Sequence, residues 1–361
     1  MKNKHSTYVI AEAGVNHNGS LNTAKRLVDA AKKAGADAVK FQTFHAEDLV
    51  TATTPKAAYQ LRNEKCGMKQ LAMLKKLELT DQDHEVLCCY AKKRGIEFLS
   101  TPFDIRSLNF LVKLGVKKIK ISSGDLTHGP LLLAAARTEL PVILSTGMAT
   151  LKEIEDALAI LSFGYSRRRR EIPELKTARV LLQRREVRAL LARNVILLHC
   201  TTEYPAPLNE VNLRAMDVIR ERFGCEVGLS DHSEGFVAAI AAVGRGAVVI
   251  EKHLTLDKKM QGPDHLASLE PREFAAMVRQ IRVVEVMLGN ANKEPTKSEM
   301  KNIPVARKTI VASRPIRQGE SLTDKNMTFK RVGKGLSPMC FWDILGKKTK
   351  CSYEMDQKVT L

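Results

Sequence analysis

Aromatic residues are scarce, at 5% of 361 positions with one tryptophan. That scarcity argues against a stacking platform for single-stranded nucleic acid. The seven cysteines, at 66, 88, 89, 200, 225, 340 and 351, are odd in number and include no CxxC pair. Such a set fits reduced thiols in a cytoplasm and excludes a disulfide framework. No apolar run approaches the ~18 to 20 residues that span a bilayer, and the polar start MKNKHSTY reads as the approach to a strand, not a signal segment. The first strand is followed by no GxGxxG, which removes the main sign of a dinucleotide-binding open sheet.

Acidic residues are outnumbered, 40 against 58 Lys and Arg, for a formal charge of +18. An excess of this size suits an anionic partner, either a polyanion or a small substrate. Its densest block runs from Arg167 to Arg193, opening with four arginines. Residues 176–193 carry a helical pattern with a basic polar face, and we read them as a solvated or buttressing helix, not a nucleic-acid contact.

From residue 8 the chain alternates short apolar runs with amphipathic segments. The runs are YVIAEAG (8–14), AVKFQT (38–43), EFLSTP (97–102), KIKISSG (118–124), PVILSTG (141–147), VILLHC (195–200), EVGLSDH (226–232) and AVVIEKHLT (247–255). Continuous apolar runs of this length are expected of strands buried on both faces. The helical patterns between them include 22–33, 81–94, 104–114, 130–137, 151–161, 213–223 and 235–245, with a last one at 271–288. Thr150 and Glu153 have capping-box spacing. Eight strand-then-helix units predict an α/β fold of the (β/α)8 TIM-barrel type over residues 1–289, with a basic helical insert at about 162–194. A polar linker is expected at 290–304. Residues 305–361, with β-rich pieces such as TIVASRPI and MTFKRV, predict a small, mostly-β domain.

In such a barrel the chemistry gathers at the C-terminal strand ends. Those ends carry Glu12, Asn16 and His17; Lys40 and Gln42; Ser100 and Thr101; Lys120, Ser123 and Asp125; Ser145 and Thr146; His199, Thr201, Thr202 and Tyr204; Ser230, Asp231 and His232; and Glu251, Lys252 and His253. Two lysines among the hydroxyls of Thr101, Ser123, Ser145 and Ser230 make a cradle for phosphate and carboxylate. Lys40 also suits a Schiff base. His232 and His253 are a weak metal signal by themselves, but as neutral imidazoles at one barrel mouth they make a candidate pair of ligands.

Nine motifs then fall in register with one family. IAEAGVNHNGS (10–20), VKFQT (39–43), STPFD (100–104), KISSGD (120–125), ILSTGM (143–148), HCTTEYPAP (199–207), GLSDH (228–232), EKHLTLD (251–257) and GPDH (262–265) resemble the sialic acid synthase family. The tail is similar to that family's antifreeze-like (SAF) domain. The resemblance implies condensation of phosphoenolpyruvate with an N-acylmannosamine-type sugar, N-acetylmannosamine or a 2,4-diacetamido-trideoxy sugar, with release of phosphate. It implies a divalent metal on His232 and His253, with Mn2+ first and Mg2+ or Co2+ as alternatives. It assigns phosphoenolpyruvate to Lys40, Thr101, Lys120, Ser123, Ser145, Thr202 and Ser230, and the sugar to Gln42, Tyr204 and Arg331. Glu12, Asp125 and Asp264 are the carboxylates left for proton transfer. The resemblance also implies a domain-swapped homodimer whose tail brings Arg331 to the partner's mouth.

Three departures stand out. Asp125 occupies a position where many members have glutamate, Thr202 replaces an asparagine seen in some, and the basic insert is absent from shorter members. HCTTEYPAP and EKHLTLD are most similar to the legionaminic-acid branch. The competing expectations are a Schiff-base aldolase or lyase of a keto-deoxy sugar acid using Lys40, and a sugar- or RNA-binding protein on a barrel scaffold. Neither membrane nor nucleic acid is an expected partner.

Overall fold

The computed structural model describes residues 6–55, 69–166 and 171–360. They form two compact units, Met1–Gly289 and Asn290–Leu361. The first unit contains strands β1 (Tyr8–Gly14), β2 (Ala38–Thr43), β3 (Glu97–Pro102), β4 (Ile119–Ile121), β5 (Val142–Ser145), β6 (Val195–Cys200), β7 (Glu226–Asp231) and β8 (Val249–His253). All pair in parallel in the order β3-β2-β1-β8-β7-β6-β5-β4, and β3 and β4 adjoin at the seam. The eight expected strands are therefore present as a near-closed barrel.

Side-chain alternation along each strand sorts the residues into two shells. One parity, including Val9, Ala11, Val39, Phe41, Leu144 and Leu197, joins the main core beneath the surrounding helices. The other parity points inward, where Ile10, Ala38, Leu99, Ile143, Leu198 and Val249 fill the barrel floor. Gly228 belongs to this inward set. A Cβ there would lie 2.3 Å from Val249 O and 2.7 Å from Leu198 Cδ2, so the floor has no room for a methyl group. Gly228→Ala is expected to cost about 2–3 kcal/mol as overpacking, read as a lower urea midpoint with an unchanged slope.

The helices obey the terminal signals in the sequence. Leu21–Ala34 starts at Ser20, whose hydroxyl accepts from Thr23 N, and ends at Gly35 with φ 86°. Asp81–Arg94 opens with a Thr80–Asp83 capping box. The expected Thr150–Glu153 box is present, with Thr150 N donating to Glu153 Oε2 at 2.7 Å and Glu153 N to Thr150 Oγ1 at 3.3 Å.

Some segments differ from expectation. The helix after β5 continues through Ser166, because Ser162, Phe163 and Gly164 remain buried past the expected end at Leu161. The insert then forms two helices, Leu175–Leu182 and Arg185–Asn194, where the pattern suggested one. Their buried Ala178, Leu181, Leu182, Val187 and Leu191 make them a buttress, as expected. Arg179 grips Asp156 through two hydrogen bonds of 2.6 and 2.7 Å. The run Arg167–Arg170 lies outside the described residues. Two short helices, Ala46–Leu49 and Gln70–Leu77, stand between β2 and β3 where no helix was expected.

In the second unit, the expected linker holds helix Lys297–Ala306, started by a Thr296–Glu299 capping box. Polar spacing without an apolar stripe concealed it, and none of its residues is buried. Strands β9 (Thr309–Ala312) and β10 (Met327–Lys330) pair antiparallel. Ile310, Ala312, Ile316, Leu322, Met327, Ile344, Tyr353 and Val359 form a small separate core.

Candidate active site

Above the apolar floor, the inward parity of every strand turns polar. Register brings Glu12 beside Lys40 on one side and His253 on the other, and Ser230 beside Glu251. Lys40 Nζ lies 2.7 Å from Glu12 Oε2 and 3.8 Å from Glu251 Oε2, and donates to Thr101 Oγ1 at 3.0 Å. Lys120 Nζ donates to Ser145 Oγ at 2.7 Å and lies 3.6 Å from Glu251 Oε1. Ser230 Oγ donates to Glu251 Oε1 at 3.1 Å, and Gln42 Nε2 to Glu12 Oε1 at 3.3 Å. These groups line a cavity of about 360 Å³ together with Ser123, Thr202, Tyr204, His232, His253 and Asp264.

The electrostatics separate the two lysines. Burial lowers the Lys40 pKa, but Glu12 and Glu251 more than offset it, so the group lies above the ordinary lysine value. Burial lowers Lys120 as well, and there Glu251 does not restore it. Burial raises Glu12 against the pull of Lys40, with Glu251 adding to the rise. Burial also opposes ionisation of Glu251, but Lys120 and Lys40 together hold it below the usual range. Lys40 is thus held as an ammonium, which disfavours the Schiff-base reading at that residue.

Beside the lysines is a pocket that a side chain would fill. Ser123 Oγ accepts from Gly147 N at 3.0 Å and lies 3.0 Å from Cys200 Sγ. A Cβ on Gly147 would stand 2.3 Å from Thr202 Oγ1 and 2.8 Å from Ser123 Oγ. Thr202 Oγ1 is buried with no hydrogen-bond partner among the described residues. An orphaned hydroxyl beside a bare backbone is an arrangement suited to ligand oxygens.

His232 and His253 face each other with ring centroids 5.5 Å apart, and Tyr204 stacks on His232 at 4.2 Å. His232 Nδ1 lies 2.7 Å from Thr201 O, and donation to that carbonyl leaves Nε2 as the lone-pair nitrogen. His253 Nδ1 is buried without a hydrogen-bond partner among the described residues and lies 3.9 Å from Asp264 Oδ2. Burial pushes His232 down to about 4 and His253 well below its ordinary value, with His232 adding to the second shift. Both rings are therefore neutral near pH 7, as a metal requires.

Parity also removes several strand-end candidates. Ser100 bonds Thr43 at 2.7 Å, His199 Nε2 meets Val211 O at 2.7 Å, and Asp231 pairs with fully buried Lys252 at 2.9 Å. These side chains face the helices and hold the strands in place. Asp125 is displaced from the cavity wall: it sits in the turn Ser123–Asp125 and accepts from Ser122 Oγ at 2.6 Å. Arg331 belongs to the second unit, where it is exposed. Glu251 was visible at a strand end but carried no role, although its spacing of two from His253 places it inward. The apolar wall of Val15, Phe44, Met73, Leu74, Leu77 and Phe103 had no sequence signal at all.

Two further histidines give the unit a pH-dependent stability. His17 and His265 are buried, and burial pushes each down to about 4 from an ordinary 6.5. Between those values the unfolded chain binds more protons than the folded one. Stability from these groups is full above pH 6.5 and falls progressively as pH drops toward 4. Thermal denaturation of the metal-free protein across that window is expected to show the decline.

The sequence pattern of the NeuB family matches residues 27–293. The chain belongs to the NeuB family. A SAF domain matches residues 307–359 of this NeuB-family chain. The chain is 45% identical to an N,N'-diacetyllegionaminic acid synthase of Campylobacter jejuni, over 98% of each protein. It is 42% identical to the corresponding synthase of Legionella pneumophila, over 94% of this chain and 90% of that one. It is similar to the crystal structure of an N-acetylneuraminic acid synthetase from Leptospira borgpetersenii in complex with citrate. That match has a TM-score of 0.68 and 34% identity, covering 82% of this chain and 90% of that one.

Among the described residues no cluster of three or more His, Cys, Asp or Glu side chains is placed to hold a metal. The donors present still fit one, because two neutral imidazoles converge and His253 Nδ1 has no hydrogen bond to lose among the described residues. Two protein ligands would leave coordination positions for water and substrate oxygen. No helix among the described residues is long and apolar enough to cross a membrane.

Proposed function

We propose that this protein condenses phosphoenolpyruvate with the open-chain aldehyde of an N-acylmannosamine-type sugar, releasing phosphate and forming a nine-carbon 2-keto-3-deoxy acid. Within that class we favour 2,4-diacetamido-2,4,6-trideoxymannose as the acceptor, because both legionaminic acid synthases above match nearly the whole chain. The observation that carries the reading is one cavity holding an ammonium–hydroxyl cradle and a neutral histidine pair.

Lys40 and Lys120 neutralise the phosphate and carboxylate of phosphoenolpyruvate, while Thr101, Ser123, Ser145, Thr202 and Ser230 direct hydrogen bonds to their oxygens. A divalent metal on His232 and His253, with Mn2+ first in order, supplies Lewis-acid polarisation of the aldehyde when bound. C3 of phosphoenolpyruvate attacks the aldehyde carbon, and the aldehyde oxygen gains a proton. C2 is left with cationic character and captures a water oxygen. Glu12 is the best placed to take that water's proton: it lines the cavity, and burial raises its pKa. Asp264 lies beside His253, whereas Asp125 acts through Ser122. Collapse at C2 forms the ketone and expels phosphate with its bridging oxygen.

Gln42 and Tyr204 meet the sugar, and Arg331 reaches it from the tail of a partner subunit in a domain-swapped homodimer. We assign the reaction to the cytoplasm, in keeping with the reduced thiols. A chain truncated after Gly289 is expected to fold and lose sugar turnover; full activity in that chain would remove Arg331 from the reading. The reading as a whole is tested by phosphate release from phosphoenolpyruvate and Mn2+ against a panel of acceptor sugars. Release with the diacetamido sugar supports it, and no release with any N-acylmannosamine-type sugar overturns it.

A further inference from the structure

Helix Gln70–Leu77 presents four residues to the cavity: Gln70, Met73, Leu74 and Leu77. Their spacing of i, i+3, i+4 and i+7 is one face of a helix. Three are apolar, and Met73, Leu74 and Leu77 are buried together with Val15, Phe44 and Ala46. The fourth offers an acceptor, since Gln70 Oε1 is buried with no hydrogen-bond partner among the described residues. A buried acceptor without a donor is costly, and a native site that keeps one calls for a ligand or water to supply the donor.

The location narrows that ligand. Phe44 follows β2 and Phe103 follows β3, and both pack with the helix face. The histidine pair is carried at the ends of β7 and β8, on the far side of β1 in the barrel order. An acceptor whose aldehyde lies at the histidines would extend its other end toward this wall. Among the described residues, the helix face, Phe44 and Phe103 offer no cation for a phosphate or carboxylate. An isolated hydroxyl would satisfy Gln70 and leave the apolar stripe uncovered. An N-acyl group satisfies both, because its amide N–H donates and its methyl packs.

We propose that this helix face is the specificity element for an N-acyl substituent on the end of the sugar remote from the aldehyde. The amide N–H donates to Gln70 Oε1, and the acyl methyl, with a deoxy methyl where present, packs on Met73, Leu74 and Leu77. This rests on the synthase reading and assigns the residues that choose the acceptor. A site built to accept a hydrogen bond in an apolar surround discriminates strongly against acceptors that cannot fill both parts.

The test compares wild type, Gln70→Met and Gln70→Glu in steady-state phosphate release. Acceptors are 2,4-diacetamido-2,4,6-trideoxymannose and 4-deoxy-N-acetylmannosamine, whose C4 bears no hydrogen-bond donor. Gln70→Met keeps the length and removes the acceptor. It is expected to raise KM for the diacetamido sugar about tenfold, the value of one lost hydrogen bond. KM for phosphoenolpyruvate, kcat, and KM for the 4-deoxy sugar, which has no C4 donor for Gln70, should be unchanged. Gln70→Glu keeps an acceptor oxygen and should retain preference for the diacetamido sugar. Equal losses with both sugars, a change confined to phosphoenolpyruvate, or a Gln70→Glu profile matching Gln70→Met would each overturn the inference while leaving the synthase reading intact. No turnover by wild type with either sugar would overturn both.

Discussion

His253→Ala is expected to lower kcat at least about a thousandfold, since Lewis-acid polarisation supplies several kcal/mol of transition-state stabilisation. His232→Ala should do the same. The fold should survive, because among the described residues the His253 ring has no hydrogen bond at Nδ1 to leave unpaired, and burial keeps it neutral. The expected signature is thus a wild-type thermal midpoint to within a few degrees, with turnover lost. Chelation of wild type should reproduce the loss, and added Mn2+ should restore wild type but neither variant. A His253→Ala protein that keeps both metal content and kcat would refute the assignment.

Lys40→Met is the second large effect, and here stability and turnover fall together. The substitution removes the ammonium 2.7 Å from Glu12 and 3.8 Å from Glu251. Two buried carboxylates then share Lys120 alone. Breaking a buried ion pair from one side costs about 3–5 kcal/mol, so the urea midpoint should drop sharply. The sign of the pH dependence follows from Glu12. Its folded pKa, already raised by burial, rises further without Lys40, so the folded state holds protons that the unfolded state has released. Stability of the variant is then greatest below the unfolded carboxylate value and is lost as pH rises through the folded one. Adding Glu12→Gln should recover much of the stability without recovering turnover. A single Lys40→Met variant as stable as wild type near pH 7 would show that the ion pair is not formed in solution.

How far the sequence revealed this site depends on period and turn. The eight strands were legible because each is a short apolar run behind a helix with recognisable ends, as at Ser20 and Thr80. The inward set follows from alternation once one member is known: with His253 inward, Glu251 is inward and Lys252 faces the helices. Asp125 sits in the turn Ser123–Asp125, off the cavity lining, where it accepts from Ser122 Oγ, and no residue pattern in the sequence marks that turn. Helix Gln70–Leu77 was hidden for another reason. Its eight residues are two turns of stripe, too short to distinguish from a loop by periodicity. The basic insert read as one helix, but its break at Gln183 and Arg184 occurs in a sequence rich in good helix formers.

In the proposed reaction, phosphate leaves from C2 after water has captured that carbon. Phosphoenolpyruvate labelled with 18O at the bridging oxygen tests it directly, with the diacetamido sugar and Mn2+ present. The label is expected to depart with phosphate, and the ketone oxygen of the product to come from solvent. Unlabelled phosphate with the label retained in the product, or phosphate formed with no sugar consumed, would contradict it.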